Sequence, residues 1–182
     1  MADPQPWRNP RPIPQLSEME GRIQTPNQLR LLIAWPPALC WAAVIFSLST
    51  DAFSADHTGR ILRPILFGLI PHLTEQAFDT IHFLVRKTAH FTEYFIFCLL
   101  LYRGIRGGQR GWRWSWALAA LSIAAGYSAL DEIHQAFVAS RTASPHDSLL
   151  DSIGAAFAVV ALFLWLRLRS APTEIETATS TD

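Results

Sequence analysis

Four apolar segments, separated by polar connections, organise the chain. The first, Leu31–Ser49, runs 19 residues without a charge. As a helix it would rise about 28 Å, close to the thickness of a bilayer core. Pro36–Pro37 lies in its opening turns, which predicts a kink or a late helix start. The second covers about residues 83–102; its later half, FIFCLLLY, is strongly apolar, while its earlier half carries Lys87, His90 and Glu93. The third is Trp114–Leu130, with an extension to Phe137. The fourth, Leu149–Leu168, is interrupted only by Asp151. Between the first two segments, residues 50–82 are too apolar for a simple spacer. ILRPILFGLI within them is too short to span and is expected to lie in an interface. Thr74 is placed to cap a following helix in which Ala77, Phe78, Ile81 and Val85 share a face. That helix is expected to run unbroken into the second segment.

The ends differ from this pattern. Residues 1–30 have no apolar core and hold six of the twelve prolines, so they are expected to be a disordered tail. Residues 170–182, SAPTEIETATSTD, read as a second one. The predicted fold is therefore all-α: a four-transmembrane-helix bundle over 31–169 with an amphipathic outer-face helix and disordered tails.

Charge placement gives this bundle a direction. Arg8, Arg11, Arg22 and Arg30 lie in the first tail, and Arg103, Arg106, Arg110 and Arg113 lie between the second and third segments. Arg167 and Arg169 end the fourth. Four spans put all of these on one side, which the positive-inside rule makes cytoplasmic, with both termini. Trp112, Trp114, Trp116 and Trp165 fall where interfacial anchors belong. Half the residues are hydrophobic and 16% are charged, against about 25% in a soluble domain. Fifteen basic residues balance fifteen acidic ones, which argues against nucleic acid as a partner. Cys40 and Cys98 each sit in an apolar run and read as small hydrophobes.

Three polar clusters then fall together at the outer ends of spans. In RKTAHFTEY, helical geometry gathers Lys87, His90, Glu93 and Tyr94 within an arc of about 120°. In DEIHQ, Asp131, His134 and Gln135 share a face with Tyr127, and Glu132 is expected to be rotated away. In SRTASPHDSLLDSIG, Ser144, Pro145 and Asp147 form a capping-box pattern. Asp147, Asp151 and Gly154 then line one face, the glycine allowing close helix approach. Arg141 is expected to fold over the top. An ionised side chain in a bilayer costs about 2.5–3.5 kcal/mol on insertion scales. Glu93, about 15 Å into the span by helical rise, must therefore face a partner. No ligand spacing such as HExxH appears, so neither a metal nor a cofactor is expected; no serine sits in a nucleophile elbow, which argues against Ser–His–Asp catalysis.

RKTAHFTEY, DEIHQAFVASRTASPHD and the DSIG that opens the fourth segment, in this order and spacing across about residues 45–165, resemble the VanZ-like family of bacterial membrane proteins. This chain has Ala139–Ser140 where the family often has Pro-Gly, Asp151 where it usually has asparagine, and Ala158 near a usual second glycine. The resemblance implies a multi-pass protein of the bacterial cytoplasmic membrane. Through the family's founding member it also implies a link to low-level resistance to the glycopeptide teicoplanin. It supplies no reaction. The leading expectation is a cell-envelope protein whose outward polar site, Lys87, His90, Glu93, Tyr94, Asp131, Glu132, His134, Gln135, Arg141, Asp147 and Asp151, binds a lipid-linked or cell-wall ligand. The expected partners are membrane lipids and that ligand. Two alternatives stand beside it: an intramembrane hydrolase or transferase acting on a lipid headgroup through His90 or His134, and a scaffold for membrane-protein assembly.

Overall fold

The computed structural model describes residues 33–50, 53–138 and 144–169. Both expected tails and Arg141 lie outside these. The described residues form five helices and no strand: α1 (Pro36–Leu48), α2 (Ala55–Leu69), α3 (Glu75–Arg106), α4 (Trp114–Ala136) and α5 (Pro145–Arg169). The late start of α1 has the expected cause, since Pro36 and Pro37 occupy its first two positions and a missing N–H costs nothing there. The result is a 13-residue helix, shorter than the 19-residue apolar run in which it lies. By length and composition, α5 is the one described helix suited to crossing a membrane; α1 is apolar but shorter.

The connection after α1 is helical rather than extended. Ser54 caps α2, its Oγ accepting from the His57 amide. The helix tolerates Pro64 in its interior and buries none of its residues. Thr74 caps α3 through the Ala77 amide at 3.2 Å, and α3 then continues for 32 residues without a break. Of the four residues expected on one face, Phe78 is buried but Val85 is 50% exposed. The face turns away from the protein there because α2 covers only the first turns. Gly107 ends α3 in a left-handed conformation, φ 57°, with its amide on the Arg103 and Gly104 carbonyls.

Side-chain contacts fix the directions of the helices. Ala42 meets Tyr127, and Ser49 meets Asp131, so α1 and α4 run the same way. His90 meets Asp151, and Phe91 meets Phe157, so α3 and α5 run together. Trp116 reaches Tyr102 and Ser128 reaches Asp151, which sets α4 against both. The four bundle helices α1, α3, α4 and α5 alternate in direction, with α3 packed against all the others.

The core divides its volume unevenly. Helix α3 contributes bulk: Tyr94, Phe97, Cys98, Leu101 and Tyr102. Apart from Ile45 of α1, its neighbours contribute small residues: Ala38 of α1, Ala117, Ala120 and Ala124 of α4, and Ala155 and Ala158 of α5. Small faces bring backbones close, most of all at Gly154. A Cβ there would stand 2.4 Å from the Phe91 carbonyl oxygen. Large apolar side chains point outward instead, with Leu118 at 58% and Phe157 at 59% exposure.

The Gly154 contact is backbone against backbone, so no rotamer change can relieve a clash. Gly154→Ala should cost about 1–3 kcal/mol or more, the range for overpacking, and lower the yield of folded protein in detergent size-exclusion. Gly126→Ala, where an added Cβ meets nothing within 4 Å, should be neutral or stabilising by up to about 1 kcal/mol.

Candidate functional site

The end of the bundle formed by the last turn of α1, the first half of α3, the last turns of α4 and the start of α5 has a polar interior. Asp151 is its centre and is fully buried. Its Oδ2 accepts from Ser128 Oγ at 2.9 Å. Its Oδ1 faces His90 Nδ1 at 3.5 Å, and neither atom has a hydrogen-bond partner among the described residues. Three helices therefore converge on one carboxylate. Ser128 also reaches Ser148 Oγ at 3.0 Å. One turn earlier on α5, Asp147 pairs with Lys87, both partly buried.

A second carboxylate anchors α1. Asp131 Oδ2 accepts from Ser49 Oγ at 2.8 Å and from Gln135 Nε2 at 2.9 Å, with all three residues buried. Tyr94 is fully buried, within electrostatic reach of both Asp131 and Asp151 and beside Ser128. Trp41 donates to the Glu93 carbonyl at 2.9 Å, tying α1 to α3 at the same level.

Three expectations need correction. Glu132 is not rotated away: it is buried, and its Oε2 accepts from the Ser144 amide at 2.7 Å. Helix α4 is covered on one flank by α1 and on another by α3 and α5, so residues about 100° apart on it are both interior. The Ser144 amide is thus held by Glu132, and the Asp147 carboxylate that a capping box would offer it is turned to Lys87. Helix α5 nevertheless begins at Pro145 as the pattern predicts. His134 does not join the group around Asp151. Its ring lies against Phe46 of α1, centroids 4.8 Å apart, because α1 covers that flank.

The structure thus gathers Lys87, His90, Tyr94, Asp131, Glu132, Gln135, Asp147 and Asp151 at one end, with Glu93 beside them and His134 on the α1 flank. Sequence reasoning missed Ser49, Ser128 and Ser148, which supply the neutral donors. Ser128 had a legible signal. It extends the stripe Ala117, Ala120, Ala124 at helical spacing, and a small polar residue continuing a small-residue stripe belongs to the same interface. Among the described residues no three His, Cys, Asp or Glu side chains converge as metal ligands.

A cleft of about 210 Å³ opens between α1, the start of α2 and α3. Leu48, Phe53 and Ala89 form its apolar wall, and Arg86, His90 and Glu93 bring charge or basicity to it. The opposite end of the bundle is different in kind. Tyr102, Trp112, Trp114 and Phe163 interlock there, and Arg113, Arg167 and Arg169 lie over aromatic rings at 4.1–5.1 Å.

A family model described as VanZ/LLP1 matches residues 35–167, which include every polar residue of this end. No curated protein and no solved structure matches the chain.

Two measurements probe the network. Ser128→Ala removes the neutral donor to a buried carboxylate and should cost about 1–3 kcal/mol. A double-mutant cycle with Lys87→Met and Asp147→Asn should return a coupling energy of about 0.5–3 kcal/mol. A near-zero coupling in thermal or denaturant unfolding would show that the pair contributes no more than a surface contact.

Proposed function

The chain belongs to the VanZ/LLP1 family, and on that premise we propose that it is a four-span protein of the bacterial cytoplasmic membrane whose outward-facing polar end binds a lipid-linked envelope ligand. Both termini are cytoplasmic on this reading. Occupation or sequestration of that ligand alters susceptibility to glycopeptide antibiotics of the teicoplanin type.

The observation that carries the reading is the inverted burial. Asp131, Glu132, Gln135 and Asp151 are inside, while Leu39, Leu118, Phe157 and Val160, all more than half exposed, are outside. A soluble monomer seldom exposes a continuous apolar surface of that kind. In lipid the arrangement is the stable one, because polar groups must find partners within the protein. The charge pattern supports the orientation. The arginine-rich 103–113 connection and the arginines that end α5 share the end opposite the carboxylates. The aromatic layer at that end suits an interface, where amphipathic rings sit at headgroup level.

Orientation is testable by labelling. With Cys40 and Cys98 replaced by alanine, a cysteine at exposed His146 should react with a membrane-impermeant thiol reagent in intact cells. A cysteine at Gly108 should react only after lysis. The reverse pattern would place the polar end in the cytoplasm and remove the basis for an envelope ligand. Substitution Glu93→Gln should abolish any glycopeptide phenotype at unchanged protein level, whereas loss of the protein itself would mark the residue as part of the packing.

A further inference from the structure

The buried and part-buried carboxylates of α4 and α5 at the polar end are turned to internal partners. Asp131 serves Ser49 and Gln135, Asp147 serves Lys87, Glu132 serves the Ser144 amide, and Asp151 serves Ser128 and His90. What the cleft itself receives is the Arg86 guanidinium, the His90 ring and Glu93. The His90 ring is held from behind. Its Nδ1 is the buried nitrogen and faces Asp151 Oδ1, which leaves Nε2 on the side of the ring away from the carboxylate. With Asp151 Oδ1 the acid beside Nδ1, a proton held on Nδ1 leaves the lone pair on Nε2. The 3.5 Å separation is long for a hydrogen bond, as such contacts often are before a ligand closes the site.

The cleft sets limits on what binds. About 210 Å³ is below the roughly 300–1,000 Å³ of pockets for drug-sized ligands, so a peptide or sugar chain does not fit within it. A guanidinium recognises phosphate with paired N–H donors. The wall of Leu48, Phe53 and Ala89 suits the first carbons of an acyl lipid. The compact anionic group that fits beside an apolar wall is a terminal phosphoryl on a lipid.

We propose that His90, oriented by Asp151, is the general base of a hydrolase that removes a terminal phosphoryl group from a membrane lipid. This rests on the reading of the polar end as a lipid-facing site. Arg86 holds the phosphoryl oxygens. His90 Nε2 takes a proton from water, and the water oxygen forms the new bond to phosphorus. The ester P–O bond breaks with its electron pair going to the lipid oxygen, which takes a proton from Glu93. The proton on His90 then passes to the Glu93 carboxylate. The products are the lipid alcohol and inorganic phosphate; nothing is oxidised or reduced. His90 is the catalytic residue and Asp151 a positioning residue.

The test uses the full chain reconstituted in phosphatidylcholine vesicles containing phosphatidic acid, with soluble glycerol phosphate as the unanchored comparison. The expected result is phosphate release from the vesicles but not from glycerol phosphate, with one oxygen from labelled water in each phosphate. His90→Gln should reduce the rate about 10²-fold or more while size-exclusion shows folded protein. His90→Ala should regain activity when imidazole is added. Asp151→Asn should lower kcat with KM unchanged and gain nothing from imidazole. Turnover of both substrates would keep the base and remove the lipid from the proposal. No release above protein-free vesicles, or a His90→Gln variant as active as the parent, overturns it. If release is absent but His146 labelling is still outward, only the catalytic inference falls; reversed labelling removes the underlying reading.

Discussion

The burial of one carboxylate governs the polar end. Asp151 has no exposed surface, and an ion taken out of water costs several kcal/mol even after relaxation. It is tolerated because His90 and Ser128 come to it from two other helices. Those approaches require α3 and α5 to lie close together, and Gly154 against the Phe91 carbonyl supplies that closeness one turn below. The register of the dyad is thus set by backbone contact, and the side chains above inherit it. Asp131 performs the same service for α1 through Ser49, so α5 is pinned through its own acid and α1 through an acid on α4.

Much of this was legible in the sequence because helical spacing is a strong constraint. Lys87, His90, Glu93 and Tyr94 share an arc in any helix, and Gly154 after Asp147 and Asp151 announces a tight face. The caps at Thr74 and the start at Pro145 follow from local chemistry alone. What was not legible depends on how many neighbours a helix has. A single arc was assigned to α4, which sends Glu132 outward; α4 has two buried flanks, so Glu132 is inside and His134 turns to Phe46. Serines were overlooked for a related reason. Their hydroxyls matter only when an acid from another chain segment arrives, and one-dimensional spacing does not show arrivals.

The two ends of the bundle solve different problems. The arginine end stacks cations on rings, Arg169 on Trp165 and Arg113 on Trp116, contacts that do not require burial of charge. The acid end buries charge and must pair it. The small-residue faces between them let the helices approach closely enough for both.

The uneven apolarity of the helices has a consequence for how the protein is made. Helix α5, the one described helix long and apolar enough on its own account, leaves the ribosome after the other four. Helix α3, with Lys87 and His90 in its first half, is made before their partners Asp147 and Asp151 on α5 exist. Until α5 arrives, those two side chains depend on other groups for company. Biogenesis of this chain is therefore exposed at a definite moment, between the emergence of α4 and the docking of α5. A truncation just before Pro145 leaves a product whose first half of α3 has lost both Asp147 and Asp151, a natural substrate for membrane quality control.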